Sequence, residues 1–99
     1  MVSKAVYKVQ GGKLVKIGLE IQGGQIGRVR ITGDFFVHPE EALAALEQCL
    51  EGCQLDEKTV AARLEKKIYE IGCQLVGFSP ADIAKAVLMA ANSGTESTS

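Results

Sequence analysis

From Val15 to Gln22 apolar and polar residues alternate without a break: Val15, Ile17, Leu19 and Ile21 on one side, Lys16, Gly18, Glu20 and Gln22 on the other. A period of two sends successive side chains to opposite faces of an extended chain, so this stretch is a strand with one buried face. A Gly-Gly pair stands on each side of it, Gly11-Gly12 and Gly23-Gly24. Two-residue glycine loops supply the positive φ angles that tight hairpins need. Beyond the second pair, Val29 and Ile31 alternate with Arg28, Arg30 and Thr32. Before the first, a run from about Ala5 to Gln10 sets Tyr7 and Val9 against Val6 and Lys8. Together these runs predict a three-stranded antiparallel meander with one face covered and one face basic.

The remaining two-thirds reads as helix. Pro39 starts the first, where its missing N–H costs nothing, and Glu40 and Glu41 suit the positive end of the dipole. The apolar stripe is Ala42, Leu43, Leu46, Cys49 and Leu50, and Gly52 ends it. Asp56 caps a second helix, with Leu55 and Val60 as a hydrophobic staple. Its stripe is Val60, Leu64, Ile68 and Ile71, closed by Gly72. After a connector, Cys73 to Phe78, Ser79-Pro80-Ala81-Asp82 opens a third helix reaching about Asn92, with Ile83, Val87 and Ala90 inward. Helices on one face of an antiparallel sheet define an α+β two-layer domain. It occupies residues 1–92, and the small polar residues 93–99 are expected to form a disordered tail.

Ninety-nine residues make one domain, too small to enclose a nucleotide and a second substrate unaided. The net charge is −1, but the cations concentrate in the strands and the carboxylates in the helices. Such separation can steer an oppositely charged partner, but on charge alone two solvated faces are the preferred reading. Nucleic-acid binding is not expected, because the basic residues are spaced and lack stacking aromatics. No apolar run has the length of a membrane span. Met1-Val2-Ser3-Lys4 leads straight into strand sequence, with no signal peptide. Three cysteines without an export signal imply reduced thiols in the cytoplasm.

The candidate site is the strand exit Thr32-Gly33-Asp34-Phe35-Phe36. A turn that only reverses the chain needs a glycine and a polar residue, not two aromatics from a total of three Phe and two Tyr. One ring can turn inward while its neighbour stays at the surface as a partner contact. Asp34 is read first as accepting the free N–H groups of the turn, and alternatively as contacting a partner's backbone or a substrate-bound metal. His38 precedes Pro39 in a surface loop or helix cap, and no nucleophile pairs with it. Glu40, Glu41, Glu47 and Glu51 read as dipole and solubility charges. Cys49 and Cys53 have helical i, i+4 spacing, but Gly52 intervenes and Cys73 is remote, so packing is preferred over a metal site. The glycine pairs precede no helix and no Lys-Ser/Thr, so they are not phosphate loops.

The stretch from Gly12-Lys13-Leu14-Val15 through Leu19-Glu20 and Gly27-Arg28-Val29-Arg30 into Ile31-Thr32-Gly33-Asp34-Phe35-Phe36 resembles the C-terminal accessory domain of lipoate–protein ligases. The likeness continues through Pro39-Glu40-Glu41 and Leu46-Glu47 to Gly52, and again from Gly77-Phe78-Ser79-Pro80 to Ala81-Asp82-Ile83-Ala84. In that family a larger catalytic domain holds the ATP and lipoate pockets and the essential lysine, and the accessory domain is needed to form lipoyl-adenylate. In some archaea and bacteria the two are separate polypeptides. The resemblance implies a small subunit that forms a heterodimer with a catalytic subunit and serves lipoyl-acceptor domains indirectly. It implies no catalytic residues and no cofactor bound by this chain alone, with ATP, Mg and lipoate in the partner. Thr32 to Phe36 are then the residues that face the adenylation site. The fold is also similar to iron–sulfur scaffold and sulfur-acceptor proteins, which present a cysteine at a strand exit. That alternative would have to use Cys49, Cys53 and Cys73. A plain interaction module unrelated to lipoate is the third reading.

Overall fold

The computed structural model describes residues 2–9, 11 and 13–96. Three strands, β1 (Val2–Lys8), β2 (Leu14–Gln22) and β3 (Gln25–Gly33), form an antiparallel sheet in the order β1-β2-β3. The first strand starts and ends earlier than expected because β2 is long enough to pair back to Val2, opposite Glu20. The Val9 amide then closes the hairpin on the Lys13 carbonyl at 2.7 Å, and Gln10 lies outside the described residues. Gly23 and Gly24 turn the second hairpin with φ of 61° and 79°, angles that an L side chain resists.

Val15, Ile17, Leu19, Val29 and Ile31 are buried on the inner face, and Lys16, Arg28 and Arg30 stand exposed on the outer one. Ile21 departs from the alternation. A register shift between Glu20 and Ile21 sets two β3 steps against one on β2, and a bulge of this kind re-aims the side chains beyond it. Ile26 takes the core position and Ile21 is left at the surface.

Two helices, α1 (Ala42–Cys49) and α3 (Pro80–Glu96), lie against the sheet, and between them in sequence α2 (Glu57–Ile71) packs on both. Helix α1 starts three residues later than the proline suggested. Pro39 to Glu41 instead form a turn, with the Ala42 and Leu43 amides donating to the Pro39 and Glu40 carbonyls at 3.0 and 3.1 Å. Asp56 caps α2 as expected, accepting from the Thr59 amide at 2.9 Å and its hydroxyl at 2.8 Å. Those two bonds favour the carboxylate and hold Asp56 below the usual carboxylate range. Burial declines along the α2 stripe from Val60 and Leu64 to a half-buried Ile68, and Ile71 is exposed. The last turn overruns the layer it packs on, so Ile71 is not a core residue.

Ser79 and Asp82 cap α3 reciprocally. The Ser79 amide and hydroxyl both donate to Asp82 Oδ2 at 2.9 Å, and the Asp82 amide donates to Ser79 Oγ at 3.3 Å. Helix α3 runs to Glu96, past the Asn92 expected as its end. Of the tail expected at 93–99, residues 97–99 lie outside the described residues. Ile83, Ala84, Ala86, Val87 and Ala90 are fully buried, and the alanines let α3 lie close against β1 and β2.

A second sheet has no signature in the local patterns. Strands β4 (Phe36–His38) and β5 (Gln74–Val76) pair antiparallel, Phe36 opposite Val76 and His38 opposite Gln74. His38 is thus an exposed strand residue, and the segment expected as a plain connector is part of a ribbon. No helix among the described residues is long and apolar enough to cross a membrane.

Candidate functional site

The end of β3 and the start of β4 build the turn that the sequence singled out. Gly33 has φ of 148°, in the region open mainly to glycine. A Cβ there would be driven into the Leu14 carbonyl oxygen. That same carbonyl accepts from the Asp34 amide at 3.0 Å, so the turn is clamped to the first residue of β2. Only glycine allows the approach.

The two phenylalanines then separate. Phe35 turns in against Phe78, with ring centroids 4.2 Å apart and planes tilted by 37°. Phe36 points out and is 70% exposed. Its cross-strand neighbour Val76 is 53% exposed, so the ribbon presents an apolar pair to solvent. One shallow depression beside it is lined by Gly11, Lys13, Gly33 and Asp34, another by Val37, Glu40 and Leu43, and Phe35 and Phe36 contribute to both. The aliphatic part of Lys13 lies against Gly77, just after β5. Val76 and Lys13 therefore join the predicted residues at one end of the molecule.

Asp34 does not make the bond first assigned to it. Among the described residues its carboxylate accepts no hydrogen bond, and only its backbone amide is engaged. The reason is geometric: once the amide is committed to the Leu14 carbonyl, the side chain projects outward, where it is exposed. Thr32 is exposed too, on the outer face opposite Lys16. The five residues thus form one surface, with Phe35 as its inward anchor. The surface offers an apolar knob, a free carboxylate and a nearby ammonium. These are groups that bind, with no nucleophile and base in contact.

The cysteines sit elsewhere. Cys53 and Cys73 are buried and Cys49 is half-buried, all as free thiols. Cys49 Sγ donates to the Leu46 carbonyl at 3.0 Å. Burial pushes the Cys49 and Cys53 thiols up, outweighing the nearby Arg63 and, for Cys49, Lys67. Among the described residues no three His, Cys, Asp or Glu side chains gather as a metal-binding group. The strand exit carries Asp34 where a sulfur carrier needs a thiol, so the iron–sulfur reading is not favoured.

Residues 5–87 match the family model for the bacterial lipoate protein ligase C-terminus, and the chain belongs to that family. One relative is the Lipoate-protein ligase A subunit 2 of Thermoplasma acidophilum, 30% identical over 81 residues, which is 82% of each chain. Among solved structures, an archaeal lipoylation system from T. acidophilum, described as a bi-partite lipoate protein ligase and its E2 lipoyl domain, contains a similar chain. The match has a TM-score of 0.74 and 25% identity, covering 88% of this chain and 94% of that one.

Proposed function

We propose that this chain is the accessory subunit of a two-chain lipoate–protein ligase. It pairs with a separate catalytic subunit, and the two together activate lipoate with ATP before an acceptor-domain lysine is modified. ATP, Mg and lipoate bind in the catalytic subunit, and this chain supplies no catalytic residue. Both work in the cytoplasm, where the three thiols stay reduced.

The observation that carries this reading is the strand exit of a family member that ends in a solvent-facing aromatic beside an unpartnered carboxylate. A pocket that holds a reactive acyl-adenylate has to exclude water while the adenylate forms, and it has to open for the acceptor. A separate small domain can do both. Phe36 and Val76 provide apolar contact with the catalytic subunit. Asp34 meets a backbone amide or a cationic group there, and Gly33 keeps the turn rigid. Thr32 and Phe35 hold the two ends of the element in place.

Lipoate-dependent ATP–pyrophosphate exchange tests the reading, measured on the catalytic subunit of the same organism with and without this chain. Exchange is expected only when both are present, and to drop in Asp34→Ala and Phe36→Ala while both variants remain folded. Equal exchange without this chain would refute it.

A further inference from the structure

The face of the three-stranded sheet turned away from the helices has no place in the reading above. On β1 it shows Lys4, Val6 and Lys8, on β2 Lys16, Gly18 and Glu20, and on β3 Arg28, Arg30 and Thr32, as the pairing of Val6 with Lys16 and of Gly18 with Arg30 fixes. Five cations thus share one surface with a single carboxylate, and all five are exposed. Among the described residues none of the five enters an ion pair, not even Arg28 with the Glu20 that it faces. Gly18, at the centre, leaves the surface flat. The face is continuous with the strand exit, since the outward row Arg28, Arg30, Thr32 leads directly to Gly33 and Asp34.

We propose that this basic face docks an acidic surface of the protein that receives the acyl group; the proposal rests on the accessory-subunit reading. Charge and position select that occupant. A lasting subunit contact is the apolar kind, and here the Phe36–Val76 pair supplies it. A substrate that must arrive, react and leave is better served by charge, which raises the association rate and costs little residence time. An acceptor held on Lys16 and Arg30 lies alongside the row that ends at the adenylation site. Helix α2 also carries cations, Lys58, Arg63 and Lys66 around one depression, but the sheet face is the one that runs on into the strand exit.

The test uses the assembled two-chain ligase and its own lipoyl-acceptor domain, with Lys16→Glu/Arg30→Glu in this chain. Neither residue belongs to the strand-exit site. Lipoate-dependent ATP–pyrophosphate exchange, which needs no acceptor, is expected to remain at the wild-type level. The KM for the acceptor should rise about tenfold or more at low salt, and its dependence on ionic strength should flatten. The milder Lys16→Gln/Arg30→Gln pair should show the same direction and guards against misfolding of the reversed variant. An unchanged acceptor KM in both variants would overturn the proposal. So would a loss of exchange with loss of the complex, which would assign the face to the catalytic subunit. Lack of exchange in the wild-type pair would bring down the accessory reading and this proposal together. It is read before any variant is made, so the two failures are told apart.

Discussion

Phe35 and Phe36 are adjacent in the chain and opposite in environment, and their substitutions are expected to separate stability from assembly. Phe35 is half-buried and stacks on Phe78. Truncating it to alanine removes a ring pair and leaves a gap, for a cost of about 2–3 kcal/mol. In a domain of this size that corresponds to a melting temperature lower by roughly 10 °C or more. Phe36 spends little of its area on the fold, so Phe36→Ala should change stability by no more than about 0.5 kcal/mol. It should instead weaken the complex with the catalytic subunit by about tenfold or more, as loss of a central aromatic contact does. Thermal melts and titration calorimetry on the two variants measure both effects. Equal behaviour of the two would mean that the split at the strand exit has no functional meaning. Their separation follows from Gly33, which lets the chain cross the Leu14 carbonyl and reverse the direction in which consecutive side chains point.

At the scale of elements, Glu47 joins the helical layer to the sheet. Its Oε2 accepts from the Ile31 amide at 2.7 Å, on the side of β3 that no further strand pairs with. A carboxylate from α1 therefore takes the place of a missing neighbour strand, one residue before Thr32. Glu47→Ala should cost about 1.5–3 kcal/mol in urea unfolding, the range for a hydrogen bond to a charged group, and Glu47→Gln less. The Ile31 amide should exchange faster with solvent in the alanine variant, which a general loss of helicity in α1 would not single out. In the sequence this glutamate looks like any other solubility charge on a helix, because the strand that it serves lies sixteen positions away. The β4–β5 ribbon escapes notice for a related reason. Its strands have three residues each, too few for a period of two to register, and Val76 is recognisable as a partner of Phe36 only once the chain has closed. What was legible rests on local rules: the alternation of Val15 to Leu19, the Gly23-Gly24 turn, and the caps at Asp56 and Ser79; the Gly11-Gly12 turn falls partly outside the described residues. At the Thr32–Phe36 exit the split of the two aromatics, Phe35 inward and Phe36 outward, was legible as well. Ile21 and Ile71 were misassigned because a bulge and a helix end act against the periodicity that placed them.

For the whole molecule, the exposed Phe36–Val76 pair and the modest core have a joint consequence. A chain of 99 residues hides only about 60–65% of the surface that its unfolded form exposes, so its own stability margin is small. A partner that binds only the folded form adds to that margin by mass action, about 2.7 kcal/mol when present at a hundred times its dissociation constant. In a domain this small the gain amounts to a melting temperature about 10–20 °C higher. Adding the catalytic subunit should therefore raise the unfolding temperature of this chain, followed through a label on the chain itself, by an amount that grows with partner concentration. Val76→Asp puts a charge beside Phe36, on the face proposed to meet the partner. Because Val76 is half exposed already, the variant alone should melt close to the wild type, yet the upward shift on adding partner should be largely lost. If the shift persisted, the ribbon would lie outside the interface, and the catalytic subunit would have to grip the chain through the sheet or the helices instead.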